Sequence, residues 1–168
     1  MKTKTSKIKH ILLIIGVFAI LFLFNSCGNK NSPTSSESNN FYFKVKIDGI
    51  EHSFNKMVFV NASLLKLGII AISTTDGNGN NIQIAIASSN PERLTGTITD
   101  DFTGSFFNKS QPGLVWDADG KTRIITITEN NDAYIEGTFS FIGNDRKSDI
   151  TKEFTEGTFR ARKPKKKK

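Results

Sequence analysis

From residue 41 onward the chain alternates between short apolar, β-branched runs and clusters of turn-forming residues. Residues 41–47 place apolar side chains at every second position, and the Asp48-Gly49 pair that follows is typical of a tight hairpin. No later stretch shows sustained 3.6-residue periodicity. The pattern predicts a nearly all-β domain, either a single antiparallel sandwich or a flattened, lipocalin-like barrel of about eight to ten strands.

The C-terminal third contains a Glu-Gly-Thr-Phe motif twice, at residues 136–139 and 156–159. Glycine within a strand lets a neighbouring ring or backbone approach closely, or marks a bulge. The motifs therefore predict an antiparallel ribbon that closes the sheet, and not a catalytic or binding motif. Period-two alternation predicts two groups that each share a face: Ile135, Gly137, Phe139 and Phe141, and then Thr155, Gly157 and Phe159.

Residues 1–26 have the composition of an export signal. Four lysines and no acid precede an apolar run at residues 11–24, which as a helix would be roughly 21 Å long. The hydrocarbon core of a bilayer is about 30 Å thick, so a permanent span would be strained. The small Ser26 then precedes Cys27. We predict a signal peptide that is cleaved before Cys27, with an uncleaved membrane anchor as the alternative.

Cys27 is the predicted site of lipid attachment. It is the single cysteine, so it cannot form an intramolecular disulfide, and a thioether-linked diacylglyceryl group gives it a role. Two or three acyl chains hold a protein stably on a membrane, since each buried methylene contributes about 0.8 kcal/mol. The sequence thus predicts anchoring to the inner or, preferably, the outer membrane, with the domain facing the periplasm or the cell exterior.

The chain divides into four predicted segments. They are a signal peptide (1–26), a lipidated cysteine with a flexible linker (27–40), a β domain (41–160) and a basic disordered tail (161–168). The linker contains no large apolar residue after Cys27 and should span roughly 20 Å.

The net charge of +7 is unevenly distributed. Residues 1–26 contribute +4 and residues 160–168 contribute +7, which leaves −4 for residues 27–159. Nucleic acid is therefore an unsuitable partner for the folded part. The tail predicts contact with anionic lipid or lipopolysaccharide, and a merely solvated end is the alternative. The cations in question are Lys163, Lys165, Lys166, Lys167 and Lys168.

Three features together resemble a family of small all-β Bacteroidetes-type lipoproteins of unknown function. They are the opening Phe-x-Phe-Lys-Val-x-Ile-Asp-Gly at 41–49, the strand at 124–128, and the paired Glu-Gly-Thr-Phe segments. The resemblance covers roughly residues 41–160. It implies lipidation of Cys27 and supplies no active site.

Candidate metal and catalytic residues are few. Asp76-Gly77-Asn78-Gly79-Asn80 matches the first half of a calcium loop, but the twelfth position is Ala87, so a hairpin turn is the favoured interpretation. Asp117-Ala118-Asp119-Gly120 is a similar partial match. Asp100 and Asp101 are neighbours and would point to opposite faces of a strand. We predict no catalytic residue, metal or cofactor.

Aromatic residues give the remaining candidate site. Trp116, Phe102, Phe106 and Phe107 could form an exposed patch or line a pocket for a small apolar ligand, a glycan or a protein, although core packing is the alternative. The sequence therefore predicts a non-enzymatic binding or envelope-structural module. The alternative function is a hydrolase on glycan or lipid, which requires two acids, or His52 and an acid, to converge in one cleft.

Overall fold

The computed structural model describes residues 41–145 and 147–165. Within these ranges there are eleven strands and one short helix. They are β1 (Tyr42–Ile47), β2 (Ile50–Ser53), β3 (Lys56–Val60), α1 (Ala62–Leu65), β4 (Ile69–Thr75), β5 (Asn81–Ala87), β6 (Gly96–Ile98), β7 (Phe102–Phe107), β8 (Val115–Ala118), β9 (Ile124–Asn130), β10 (Tyr134–Asp145) and β11 (Thr151–Arg162).

The predicted first hairpin is confirmed. β1 buries every second side chain, so that Phe43, Val45 and Ile47 face the core. Asp48 and Gly49 have φ values of 50° and 81°, and positive φ at both central residues is what a type I′ hairpin turn requires.

The strands form a sheet that closes on itself. Its order is β2-β1-β11-β3-β4-β5-β7-β8-β10-β9-β6, and β10 also pairs with β11, so the path from β11 through β3 and β8 returns to β11. The seam between β11 and β3 is a single parallel pair, Arg162 with Phe59, whereas the other pairings are antiparallel. This ring-like arrangement agrees with the predicted all-β sandwich or barrel-like fold.

The β10–β11 ribbon is the longest pairing, and its two glycine motifs interlock. Gly137 lies opposite Phe159, and Phe139 lies opposite Gly157. A Cβ added to Gly157 would lie 2.5 Å from the Phe139 ring, and one added to Gly137 would lie 3.0 Å from the Phe159 ring. Gly157 therefore makes room for the Phe139 ring, and Gly137 lets both the backbone carbonyl of Thr126 on β9 and the Phe159 ring approach, as expected for glycines in a closing ribbon.

The predicted alternation along β11 is wrong at one point. Thr155 and Glu156 together oppose a single residue of β10, and Glu156 has a φ of 51°, so the strand contains a bulge. The bulge shifts the phase of alternation by one residue. Phe154 and Phe159 both face the core as a result, and Thr155 does not share the fully buried face of Gly157.

Residues 102–107 form β7, whose apolar pattern is interrupted by a glycine. β7 is a central strand, paired with β5 over six residues and with β8 over three. Gly104 interrupts the apolar pattern in the sequence, but it does so to admit a ring: a Cβ there would lie 2.7 Å from Phe141.

The core is a continuous cluster of aromatic rings. Phe141 and Phe154 stack with their centroids 4.3 Å apart, and Phe106 contacts Phe154 at 5.6 Å and Trp116 at 5.8 Å. Phe43, Phe54, Phe139 and Phe159 extend the cluster toward β1 and the ribbon. Isoleucines of β4 and β5 fill the opposite wall.

Candidate functional site

Several predicted features lie outside the described residues. They include the signal peptide (1–26), Cys27 with the linker (27–40), and Lys166, Lys167 and Lys168. Among the described residues, no helix has the length and apolar character needed to cross a membrane.

The predicted aromatic patch is wrong as a surface feature. Trp116, Phe102 and Phe106 are 0%, 1% and 3% exposed and belong to the ring cluster of the core. Only Phe107 lies on the outward side of β7, where it is half-buried. The strand alternation that buries Phe102 and Phe106 also turns Phe107 away from them, so the four side chains do not form one surface.

The predicted boundary of the basic tail also needs correction. β11 continues to Arg162, and Ala161 is fully buried opposite Ile135. Lys163 is 8% exposed; its backbone N–H donates to Ala133, and its Nζ donates to the carbonyl oxygen of Asn131 at 2.8 Å. Lys163 is thus a part of the fold and not an exposed contact, whereas Lys165 is exposed.

We call the end of the sheet at which β1 begins and β11 ends the tail end. Antiparallel pairing of Tyr42 with Arg160 brings the first described residue, Phe41, beside Arg162, whose guanidinium carbon lies 5.9 Å from the Phe41 ring centre. Phe41 and Arg162 are therefore neighbours at the tail end.

A pocket of about 300 Å³ opens at the tail end. It lies between the last residues of β3, the start of α1 and the last residues of β11. Its lining contains two cations and no carboxylate: Phe59, Val60, Asn61, Ala62, Arg162, Lys163 and Pro164. The Asn61 side chain caps α1 by accepting from the backbone N–H groups of Ser63 and Leu64, which fixes that wall of the pocket.

Large apolar side chains are exposed in and after the elements that form this pocket. Phe59 is 40% exposed, and Leu67, which follows α1 in the connection to β4, is 69% exposed. The exposed cations Lys66, Arg162 and Lys165 accompany them. The tail end therefore combines apolar and basic groups on one surface.

A second group of polar side chains lies on the outer face of the ribbon. We call Tyr42, Glu136, Arg160, Tyr134 and Glu129 the ribbon cluster. Arg160 pairs with Glu136 at 2.6 Å, the Tyr42 hydroxyl donates to Glu136 at 2.9 Å, and the Arg160 guanidinium carbon lies 4.7 Å from the centre of the Tyr134 ring. Sequence reasoning missed this cluster, because only the strand register brings these residues together.

Hydrogen bonds within the ribbon cluster favour the charged forms of Glu129 and Arg160 and the neutral form of Tyr42. A hydrogen bond from Tyr134 and another from Asn131 lower the pKa of Glu129. Burial and the bond to Glu136 raise the pKa of Tyr42, and the bond to Glu136 raises the pKa of Arg160. Glu129 and Glu136 lie directly opposite each other, but a glycosidase acid needs a raised pKa. Both carboxylate oxygens of Glu136 accept hydrogen bonds, one from Tyr42 and the other from Arg160.

The calcium-like loop is a hairpin turn, as favoured from the sequence. It connects β4 to β5, and the Asp76 carboxylate accepts from the backbone of Asn78 at 2.7 Å and from the side chain of Asn80 at 2.6 Å. Burial alone would raise the pKa of Asp76, but these donors together lower it. Within 41–145 and 147–165, no group of three His, Cys, Asp or Glu side chains could hold a metal ion.

The other candidates also remain separate. His52 lies on β2 and stacks on Phe54 with their ring centres 6.3 Å apart. Asp100 and Asp101 lie in the turn before β7, where their backbone oxygens serve the structure: Asp100 accepts from Arg123 and Asp101 accepts from Ala87. Asp119 caps the turn before β9 through the backbone of Lys121.

The resemblance to Bacteroidetes-type lipoproteins stays a prediction. No family model, curated protein or solved structure matches the chain.

Proposed function

We propose that the chain is an exported lipoprotein whose β domain acts as a non-enzymatic binding or envelope-structural module. Cys27 carries the acyl chains, and residues 28–40 tether the domain to the membrane. Membership of the Bacteroidetes-type lipoproteins, location at the outer membrane and a domain that faces the periplasm or the cell exterior are parts of this proposal.

One observation carries the proposal beyond the sequence. Phe41 and Arg162 are neighbours, so a lipid-linked tether that enters at Phe41 would hold the basic C-terminal segment near the same membrane. A tether of thirteen residues has a root-mean-square length of roughly 20 Å. That length brings the tail end within reach of the headgroup region, where each cation near an anionic surface contributes about 1 kcal/mol.

The solid aromatic core and the fixed charges of the ribbon cluster support a binding or structural role over hydrolysis. The described carboxylates that lie opposite each other, Glu129 and Glu136, are committed to hydrogen bonds. The pocket at the tail end offers a ligand both shape and charge.

Metabolic labelling tests the anchor. The full chain, expressed in a bacterial host with an alkyne-tagged fatty acid, should incorporate label and yield a mature N terminus at Cys27 by mass spectrometry. Cys27→Ser should lose the label, because only a thiol accepts the diacylglyceryl group as a thioether.

A matched control tests whether labelling requires a cysteine at residue 27 or only a cysteine somewhere in the linker. Cys27→Ser combined with Ser35→Cys retains one cysteine in the linker and should remain unlabelled. An intact leader, a free thiol at Cys27, or equal label on the Cys27→Ser chain contradicts the proposal.

A further inference from the structure

We propose that the tail end is a docking surface for an anionic phospholipid bilayer, with Arg162 on a lipid phosphate and Leu67 and Phe59 at the interface. The inference rests on the proposed lipid anchor and deepens it, since it assigns the folded domain one orientation on the membrane. The cations of the predicted tail that lie outside the described residues are not required for it.

Arg162 is an available phosphate ligand. Two residues earlier on the same face of β11, Arg160 is neutralised by Glu136 at 2.6 Å. Arg162 has no ion pair among the described residues; its guanidinium lies over the Phe41 ring, and its side chain lines the pocket. Guanidinium groups bind phosphate oxygens through two parallel N–H donors, so Arg162 has the chemistry for a phosphodiester.

One exposed apolar group lies beside this cation, and a second follows α1, which contributes to the same pocket. Leu67 is the most exposed large apolar side chain among the described residues, at 69%, and Phe59 pairs directly with Arg162 across the β11–β3 seam. Apolar side chains that enter the headgroup boundary, surrounded by Lys and Arg, are typical of proteins that lie on anionic membranes. The pocket of about 300 Å³ beside Phe59 is large enough for a glycerophosphate headgroup.

Charge complementarity favours an anionic lipid, and not the acidic side chains of a second copy of this chain, as the group that occupies the pocket. The pocket lining contains Arg162 and Lys163 and no carboxylate. Glu92, between β5 and β6, and Asp132, between β9 and β10, each already have an interaction partner. Lys66 follows α1 and Lys165 follows β11, so exposed cations continue on both sides of the pocket.

Two exposed residues of similar accessibility provide the test. Leu67 is 69% exposed at the tail end, and Ile50 is 66% exposed beside the Asp48-Gly49 turn, at the opposite end of β1. The full chain with Leu67→Trp or with Ile50→Trp is reconstituted in discs of phosphatidylglycerol whose acyl chains are brominated. Bromine quenches tryptophan fluorescence at short range, and the native Trp116 is a constant, fully buried background.

We expect the Leu67→Trp signal to be quenched several-fold more strongly than the Ile50→Trp signal. Adding Arg162→Gln to Leu67→Trp should lower the equilibrium constant for docking about fivefold, the effect of one surface cation. The matched control Lys121→Gln, which removes an exposed cation in the turn before β9, should leave it unchanged. Discs of brominated phosphatidylcholine should give weak and equal quenching.

Equal quenching of the two tryptophans in phosphatidylglycerol discs overturns the inference. Loss of the Leu67→Trp quenching on addition of soluble glycerol phosphate also overturns it, because the pocket would then hold a soluble phosphate. Retention on an acidic polysaccharide without quenching overturns it in favour of a glycan.

Mass spectrometry of the same samples separates this inference from the proposed function. If Cys27 is acylated and the two signals are equal, the anchor stands and the orientation fails. If Cys27 is unmodified, the chain is added to preformed vesicles of the same lipids; a quenching contrast there supports the docking surface although the anchor fails.

Discussion

The inner and outer faces of the β10–β11 ribbon are stabilised by different forces. On the inner face, phenylalanine rings pack over glycines and over one another, as in the Phe141–Phe154 stack at 4.3 Å. On the outer face, the Glu136–Arg160 pair and Tyr42 form hydrogen bonds in partial contact with water. Buried apolar area contributes far more than solvent-screened ion pairs. The fold therefore depends on the inner face, and the outer face tolerates change.

The largest expected effect comes from Phe154→Ala. Phe154 is fully buried between Phe141 and Phe106, so its removal leaves a cavity and should lower the free energy of unfolding by about 3–5 kcal/mol. Urea denaturation measures the loss. Ile124→Ala on β9, where the side chain is 40% exposed, is the control and should cost much less. If both variants lowered the free energy of unfolding by similar amounts, the conclusion that the fold depends on the inner face would be contradicted.

Gly157→Ala should have the next largest effect. The added methyl group would lie 2.5 Å from Phe139, and overpacking of this kind costs about 1–3 kcal/mol. Gly120→Ala is a matched control, because nothing lies within 4 Å of its added Cβ. Thermal or urea unfolding compares the two variants.

A smaller ring opposite Gly157 should sharpen this result. Phe139→Leu combined with Gly157→Ala should be more stable than the sum of the two single effects predicts, because the methyl group and the ring compete for one space. Strict additivity would show that the Gly157 site is not limited by Phe139.

The smallest effect is expected on the outer face. Tyr42→Phe removes the hydrogen bond to Glu136 and should cost about 1 kcal/mol or less. Burial and Glu136 raise the pKa of Tyr42 above its ordinary value of 10.0, so the neutral phenol stabilises the folded state. Its contribution is complete below pH 10.0 and is lost as the pH rises through the folded-state pKa.

Unfolding measured at several pH values tests this linkage. The stability difference between the native chain and Tyr42→Phe should shrink above pH 10.0. A difference as large as that of Phe154→Ala, or one that grows at high pH, would contradict it.

The strands whose alternation is unbroken were predictable from the sequence, and β1 with its hairpin is the clearest case. The reason for Gly104 within β7 could not be predicted, because the ring that occupies the space beside it, Phe141, is distant in the sequence. The bulge at Glu156 was missed because a single inserted residue shifts the alternation without leaving a compositional mark.

The candidate surfaces were harder to predict than the fold. Trp116 was chosen as a surface residue because aromatic content alone does not distinguish a core from a patch. The ribbon cluster and the pocket depend on which strands become neighbours. Phe59 and Arg162, for example, meet only through the parallel β11–β3 seam. Residues that meet across paired strands in this way leave no recognisable pattern in the local sequence.

The pairing of β1 with β11 joins the two termini of the domain and has a consequence for biogenesis. A ribosome releases β1 before β11, so the ring cannot be completed before β11 has been synthesised, and closure of such long loops is slow. A product truncated before Thr151 would leave β1, β3 and β10 each without a neighbour on one edge. Open strand edges of this kind are prone to aggregation.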